Sequence, residues 1–394
     1  MSRSRRPPEP SPIRVLIAPD SFKGSLTSVE VATALASGWQ EARPGDEVLL
    51  APLADGGEGT LVAIEAAGGW SWESTPATDP IGRPVAARWL RSADGARAVV
   101  ELAEASGLSR LAASELDPVG ASTRGTGEVL RAVIDAGVRS ITLGIGGSAT
   151  TDGGAGILAA LGVRIEAGGI ALDELDRRLA DVELRIACDV TNPLLGPTGA
   201  AATYGPQKGA TPQQVRDLDA ALGRFAEALE SAAGRRERAT PGAGAAGGTG
   251  FGLLSLKDRF RSLELVSGID VVMDAADFAG KLVTADVVLT GEGRIDAQTA
   301  FGKTALGVAQ HAAAAGVPCI AIGGGIDAEG EAVLAKLGAI TVSVSEAPMT
   351  LEAAMAAGAE PVRRCGRRIA RLISLGRLLD GEGRGTPDGR GQNR

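Results

Sequence analysis

The chain has 394 residues, of which 44% are apolar, 22% charged and 3% aromatic, and its formal net charge is −8. This length allows two domains, because single cores stop growing at roughly 250 to 300 residues. The negative charge and the few aromatic rings argue against nucleic acid as a partner, since its binding needs a basic surface or stacking platforms. A small-molecule partner is therefore expected. No apolar run approaches the ~20 residues of a membrane span, and no apolar run follows the basic N-terminal residues, so we expect a cytoplasmic protein.

The first predicted elements are a strand, a polar loop and a helix. Residues 13–19 form a continuous apolar run, which is typical of a parallel strand covered on both faces. Thr27 and Glu30 match the T-x-x-E capping box and predict where the helix begins. Residues 20–25 form the loop between the strand and the helix. This loop places Asp20 and Lys23 at the carboxyl end of the strand, which is where ligands bind in open α/β sheets.

A second strand is predicted over residues 48–53. The sequence ADGGEGT follows it and places Asp55 just past the strand, next to glycines. Residues 70–118 differ, because short segments alternate with turn signals such as Asp79-Pro80. That pattern favours antiparallel β structure.

Residues 141–161 combine an apolar β-rich run, a glycine-rich loop and a helix from about Ala155. The loop sequence is GGSATTDGG. Glycines let backbone N–H groups approach an anion, and a helix N-terminus adds unpaired donors, so a phosphate or carboxylate site is one hypothesis. The alternative is a tight turn that needs positive φ at several positions.

The middle of the chain holds two further glycine-rich segments. Asp189 follows a short strand predicted over residues 185–188, and Lys208 lies in the sequence GPQKG. Residues 241–250 contain a literal G-x-G-x-x-G, but it follows a charged segment rather than a strand, so the dinucleotide-binding context fails. We expect a turn or a close backbone approach there.

From about Ala285 strands and helices alternate regularly, with a strand over 287–290 and another over 317–322. This alternation predicts a doubly wound sheet. We therefore expect an α/β protein in which a Rossmann-like, doubly wound parallel sheet domain carries a large inserted second α/β domain. The expected segments are a tail at 1–12, the Rossmann-like domain at 13–60 plus 285–380, the inserted domain at 61–284 and a tail at 381–394.

Lysine is used sparingly, at six of the 40 basic positions. Three of the six, Lys23, Lys208 and Lys303, adjoin glycine in polar loops. Lysine is a compact charge on a flexible stem, which suits a moving phosphoryl group. With carboxylates such as Asp189 and Asp296 after strands, these residues supply what Mg²⁺-assisted phosphoryl transfer needs. Each acid alone could instead cap a helix or order a turn, and the lysines could be surface charges.

Two other segments resemble known nucleotide-binding motifs, but each departs from its motif. Gly302-Lys303-Thr304 looks like the end of a Walker A loop, but Ala297 stands where the first glycine should be. Residues 144–149 imitate an NAD fingerprint, although the polar residues 150–154 come before the helix. An NAD-dependent hydroxy-acid dehydrogenase and a non-catalytic sensor of an anionic metabolite therefore remain alternatives to a phosphotransferase.

Eight ordered motifs resemble those of the bacterial glycerate kinase family, over roughly residues 13–378. They are APDSFKGSLTS (18–28), PLADGGEGT (52–60), TRGTGE (123–128), GIGGSATTDGGAG (144–156), ACDVTNPLLGPTGA (187–200), YGPQKGA (204–210), PGAGAAGG (241–248) and LTGEGRIDAQT (289–299). The resemblance implies ATP-dependent phosphorylation of D-glycerate to 2-phosphoglycerate, a Mg²⁺ requirement, and a site between a Rossmann-like domain and its insertion.

Residue chemistry then suggests individual roles within these motifs. ATP phosphates would be bound by Gly146, Gly147, Ser148 and Thr150, and Mg²⁺ by Asp189 and Asp55. The glycerate carboxylate would be held by Ser21, Lys23 and Arg294. Charge in the transition state would be offset by Lys208 and Lys303, and Asp296 is one candidate base.

Overall fold

The structure is a computed structural model that describes residues 11–54, 57, 59–166, 169–297, 304–348 and 350–381, without the side chains of 378–381. The described residues cluster into two compact units. Unit 1 comprises Met1–Pro52 with Phe278–Arg394, and unit 2 comprises Leu53–Asp277. The domain boundaries expected at residues 60 and 284 stay predictions.

Strands and helices alternate along most of the chain. The strands are β1 (Arg14–Pro19), β2 (Glu47–Leu50), β3 (Trp70–Thr78), β4 (Pro84–Ser92), β5 (Arg97–Glu101), β6 (Ser140–Gly144), β7 (Arg164–Glu166), β8 (Gly169–Ala171), β9 (Glu183–Ala187), β10 (Ser262–Val266), β11 (Val287–Ile295), β12 (Cys319–Ile326) and β13 (Ile340–Ser343). The α-helices are α1 (Ser28–Ala42), α2 (Thr60–Ala66), α3 (Ala103–Ser106), α4 (Arg124–Asp135), α5 (Ala155–Ala160), α6 (Ala200–Tyr204), α7 (Pro212–Ala233), α8 (Ala245–Ser255), α9 (Gly268–Ala275), α10 (Phe278–Leu282), α11 (Thr304–Ala315), α12 (Ala328–Ala335), α13 (Leu351–Ala356) and α14 (Glu360–Gly381). The predicted mixed α/β class is confirmed.

Unit 1 is built on a parallel sheet with the strand order β13-β12-β11-β1-β2. Helix α1 begins as predicted, because the Thr27 hydroxyl accepts a hydrogen bond from the N–H of Glu30 in a complete capping box. One face of the sheet packs against α1 and α14 in a single core that includes Val15, Ile17, Leu35, Trp39, Leu289, Val362 and Ile369. Leu16 is equally buried and alternates with these strand residues, so it points to the opposite face.

Strands β11 and β12 are longer than the sequence suggested. We expected them to end at residues 290 and 322, but pairing continues through Ile295 opposite Ile326. Glycine-rich runs usually signal loops, yet these glycines permit close strand contact, since a Cβ on Gly291 would lie 2.4 Å from the Ile322 carbonyl oxygen. Arg294 therefore lies within a strand, and the expectation of a loop there was wrong.

Unit 2 contains a mixed sheet with the strand order β10-β9-β6-β5-β4-β3. The first four strands in this order are parallel, whereas β4 and β3 join antiparallel. This confirms the antiparallel character predicted after residue 70. The unit's core includes Leu143 of β6, Val133 of α4 and Ile157 of α5. Across all described residues, no helix has the length and apolar character needed to cross a membrane.

Candidate phosphate-binding loop and associated residues

The glycine-rich loop of unit 2 connects β6 to α5, as the sequence predicts. Strand β6 ends at Gly144 and α5 begins at Ala155. Gly147, Gly153 and Gly154 have φ values of 69°, 67° and 80°, in the left-handed region that favours glycine. The positive φ values confirm the tight turn that the sequence offered as one interpretation of these glycines. They do not decide the other interpretation, an anion-binding loop.

The first half of the loop pairs with the segment after α3. The carbonyl of Gly147 accepts a hydrogen bond from Leu108 N–H at 2.8 Å, and Ala149 N–H donates to the Ser106 carbonyl at 3.0 Å. Within the described part of the chain, no acceptor is found for the backbone N–H groups of the four predicted phosphate-binding residues, Gly146, Gly147, Ser148 and Thr150. The loop is therefore anchored while these donors are left for a ligand or water.

Lys208 contacts the same loop from a short 3-10 helix, Pro206–Lys208. Its side chain is almost completely buried, with 1% exposure. The ammonium donates to Ser148 Oγ at 2.9 Å and to the carbonyl oxygen of Thr150. Burial lowers the pKa of Lys208 to about 8, and the negative charge of Asp152 opposes that shift. The predicted lysine and two predicted phosphate-binding residues thus lie together.

Two threonine hydroxyls in the loop are buried. Thr150 Oγ1 and Thr151 Oγ1 have no hydrogen-bond partner among the described residues. An unsatisfied buried polar group costs about 1–3 kcal/mol, so such groups in native proteins usually mark a place where a ligand or water binds. Thr151 was not among the predicted site residues, and its position beside Thr150 between two glycine pairs was the signal that could have found it.

Asp152 has a structural role that the sequence left open. Its carboxylate accepts hydrogen bonds from the N–H and hydroxyl of Thr123, each at 2.8 Å, and from the N–H groups of Gly154 and Gly156 at 3.0 and 3.2 Å. The Thr123 hydroxyl in turn accepts from Ile157 N–H. The acid therefore joins the start of α4 to the start of α5, where a negative charge is also favoured by the helix dipole.

The glycine-rich segment at residues 241–250 supports the other side of the loop. Its expected close backbone approach is confirmed, because Gly153 N–H donates to the Gly247 carbonyl at 3.0 Å. A Cβ on Gly247 would lie only 1.9 Å from the Thr150 carbonyl oxygen. Ala246, Gly247 and Gly248 all have positive φ inside α8, which produces a kink there. Gly247 thus packs directly against the loop.

The predicted metal ligands are only partly described. Asp189 follows β9, and its Oδ1 accepts a hydrogen bond from Gly268 N–H at 2.9 Å, at the start of α9. Asp55 lies outside the described residues, as does the predicted catalytic residue Lys303. In the described ranges, no group of three or more His, Cys, Asp or Glu side chains is placed to hold a metal ion.

The remaining predicted residues lie in unit 1, at the carboxyl ends of β1 and β11. Asp20 accepts a hydrogen bond from Ser21 N–H at 2.6 Å and another from the Thr304 hydroxyl at 2.7 Å. Arg294 is largely exposed and forms an ion pair with Asp296 at 3.2 Å.

The loop that carries Lys23 lies beside β11. A Cβ on Gly293 would lie 3.3 Å from Phe22 Cα and 3.4 Å from the backbone nitrogen of Lys23. Unit 1 thus brings together Ser21, Lys23, Arg294 and Asp296 at one edge of its sheet.

Comparison with known proteins identifies the family. The chain matches the glycerate kinase family over residues 15–374. It is 43% identical over 384 residues to the glycerate kinase of Bacillus subtilis (strain 168), covering 93% of this chain and 99% of that protein. It is 39% identical over 381 residues to the glycerate 2-kinase of Escherichia coli (strain K12), covering 92% and 99%.

A solved structure is also similar. The crystal structure of a candidate glycerate kinase 2 from Salmonella typhimurium LT2 has a TM-score of 0.81 and 40% sequence identity, and the match covers 94% of this chain and 100% of the other. Glycerate kinases match this chain over nearly its whole length, so the chain is an enzyme. The chain belongs to the glycerate kinase family, as the resemblance of its motifs predicted.

Proposed function

We propose that the chain transfers the γ-phosphoryl group of ATP to the 2-hydroxyl of D-glycerate, which gives 2-phosphoglycerate and ADP. Family membership supports glycerate as the acceptor. The name of the E. coli relative, glycerate 2-kinase, supports the 2-hydroxyl. The observation that carries the proposal is the loop after β6, in which backbone N–H groups and the two buried hydroxyls of Thr150 and Thr151 have no partner among the described residues, and which Lys208 contacts at Ser148 and Thr150.

The loop fits a phosphate chain by its donor chemistry. Phosphate oxygens accept hydrogen bonds, and both the loop N–H groups and the hydroxyls of Thr150 and Thr151 can donate. Gly146, Gly147, Ser148 and Thr150 therefore remain the proposed ATP-binding residues. A phosphate would also satisfy two buried hydroxyls that have no hydrogen-bond partner in the part of the chain that the structure describes.

The remaining proposed roles belong to charged residues. Mg²⁺ would neutralise charge on the phosphates, with Asp189 and Asp55 as its proposed ligands. Lys208 and Lys303 stay candidates for offsetting charge during transfer. Asp296 would accept the proton of the attacking hydroxyl, and its ion pair with Arg294 would hold its carboxylate in place.

The substrate carboxylate would be held in unit 1. Ser21 can donate a hydrogen bond, and Lys23 and Arg294 carry positive charge at the same sheet edge. Arginine can bind a carboxylate through two parallel hydrogen bonds, in a bidentate geometry. Because Arg294 is largely exposed, a small acid could reach it.

Two finer descriptions belong to the same proposal. Unit 1 would have the Rossmann-like, doubly wound arrangement, which its parallel strand order and its burial on both sheet faces support. Use of ATP would place the enzyme in the cytoplasm, where ATP is available.

The reaction can be followed by ³¹P NMR with ATP, Mg²⁺ and D-glycerate. We expect loss of the γ-phosphate signal and a new monoester signal. Without proton decoupling, 2-phosphoglycerate gives a doublet because C2 carries one hydrogen, whereas 3-phosphoglycerate gives a triplet. A triplet would overturn the regiochemistry, and no consumption of ATP would overturn the proposal.

Two acceptor analogues provide controls. D-Lactate keeps the carboxylate and the 2-hydroxyl, while 3-hydroxypropionate keeps the carboxylate and only the terminal hydroxyl. Slow turnover of D-lactate with none of 3-hydroxypropionate is the expected pattern. The reverse pattern would indicate transfer to the terminal hydroxyl.

A further inference from the structure

Lys208 is in an unusual environment for a lysine. Lysine is almost never fully buried without a partner, yet this side chain is 1% exposed. Within the described residues no carboxylate forms an ion pair with it, and Asp152 acts on it only through its charge. Both of its hydrogen bonds go to the loop after β6, at Ser148 Oγ and the Thr150 carbonyl.

These two hydrogen bonds fix the central peptide groups of the loop. Ser148 and Thr150 flank Ala149, whose N–H is bonded to the Ser106 carbonyl. Because a trans peptide is planar, holding the Thr150 carbonyl toward Lys208 directs the N–H of Thr151 the opposite way. Gly247 packs against the same carbonyl so closely that there is no room for a Cβ. The orientation of the Thr151 N–H thus depends on what holds the Thr150 carbonyl.

We infer that Lys208 is a positioning residue, which holds the Ser148–Thr150 loop in the conformation that binds phosphate and does not itself touch the transferred phosphoryl group. The inference rests on the proposed function, and for Lys208 it replaces the direct, charge-offsetting role given there with an indirect one. Direct charge compensation, the role suggested by the sequence, would need the ammonium to leave Ser148 and Thr150 and reach a ligand. The burial of the whole side chain and its two loop contacts favour the indirect role.

Amide hydrogen exchange on the ligand-free full chain tests the positioning directly. The reporters are the N–H groups of Leu108, Ala149 and Gly153, which are bonded to or within the loop. In Lys208→Met we expect their exchange to accelerate about tenfold or more, because a buried charged donor and two hydrogen bonds are lost. Exchange at the wild-type rate would overturn the inference.

Lys281→Met is the matched control. The Lys281 ammonium also donates to a backbone carbonyl, that of Leu50 at 2.9 Å, but in unit 1. Its replacement should leave the three reporter amides at wild-type rates. If Lys281→Met accelerated them equally, the effect of Lys208→Met would be a general loss of stability, and the inference would fail.

Kinetics separate positioning from direct contact. A positioning role predicts that the KM for ATP rises at least about tenfold in Lys208→Met, with a smaller change in kcat, since the loop binds ATP before and during transfer. A collapse of kcat with wild-type loop exchange would show direct contact and overturn the inference.

Ser148→Ala provides a second route if Lys208→Met does not fold. It removes one of the two acceptors of Lys208 without burying a new group, so exchange at Ala149 should accelerate, though less than in Lys208→Met. An unchanged Ala149 amide would contradict the inference. Because the exchange is measured without ligand, its result stands whether or not glycerate proves to be the substrate.

Discussion

Replacing Gly247 by alanine tests whether the loop after β6 depends on the glycine-rich segment beside it. Gly247 has a φ of 66°, and an added Cβ would lie 1.9 Å from the Thr150 carbonyl oxygen. Real Cβ atoms essentially never come so close to another atom. The carbonyl oxygen is part of the backbone and the Cβ is attached directly to it, so neither can move away by a side-chain rotation. The substitution must therefore displace either the backbone at residue 247 or the Thr150 carbonyl, which is the same group that Lys208 holds.

The expected loss of stability has two parts. An alanine in the left-handed region costs roughly 1–2 kcal/mol. Forcing extra volume into a packed site costs about 1–3 kcal/mol more. Gly234→Ala isolates the first part, because Gly234 has a φ of 75° and an added Cβ would meet nothing within 4 Å. We therefore expect Gly247→Ala to lower the free energy of unfolding by about 1–3 kcal/mol more than Gly234→Ala does.

Denaturant unfolding followed by tryptophan fluorescence measures this difference. Three of the four tryptophans, Trp70, Trp72 and Trp89, lie in unit 2, as do both glycines. The KM for ATP should rise in Gly247→Ala and stay near the wild-type value in Gly234→Ala. Equal destabilisation together with equal ATP affinity would refute the idea that close packing against Gly247 shapes the loop.

Three further predictions concern single residues. Asp152→Asn should lower the free energy of unfolding by about 1.5–3 kcal/mol, measured by denaturant titration, because an amide group would face the donors of Thr123 and Gly156; wild-type stability would contradict the capping role. Burial lowers the pKa of Lys208 from 10.5 to about 8, so between these pH values the folded state binds fewer protons than the unfolded state. The free energy of unfolding of wild type, relative to that of Lys208→Met, should therefore rise as the pH increases from 8 to 10.5 in denaturant titrations. A stability difference that does not change with pH would argue against a buried ammonium. Lys23→Ala should raise the KM for glycerate while leaving the KM for ATP unchanged in steady-state assays, and an unchanged KM for glycerate would remove Lys23 from the proposed carboxylate site.

Local signals in the sequence predicted much of the fold. The capping box at Thr27 and Glu30 and the alternation of strands and helices after residue 285 are local patterns, and the structure has both. The ends of β11 and β12 were missed for a physical reason. Glycine usually disfavours strands, but here close approach of the two backbones requires it, and that approach depends on the partner strand rather than on neighbouring residues.

The candidate site shows the same division between local and long-range signals. Loop composition was enough to single out Gly147 and Ser148, since a cluster of glycines directly after a strand is typical of a tight turn or an anion-binding loop. The sequence could not show that Asp152 would bond to Thr123, 29 residues away, or that Lys208 would reach Ser148, 60 residues away. Such contacts are set by how helices and loops pack around the sheet of unit 2.

The chemistry of Asp152 and Lys208 shows why their roles were hard to assign from residue type. A carboxylate and an ammonium beside a glycine-rich loop look like catalytic groups, because phosphoryl transfer needs both. The same two charges can instead hold the loop's backbone, since a carboxylate accepts from N–H groups and an ammonium donates to carbonyls. Asp152 accepts from the start of α5, and Lys208 donates to the Thr150 carbonyl, so each charge lies where the backbone dipole has the opposite sign. We therefore propose that the uncharged residues Ser148, Thr150 and Thr151 contact the phosphate, while Lys208 holds the Thr150 carbonyl and Asp152 holds the backbone at the start of α5.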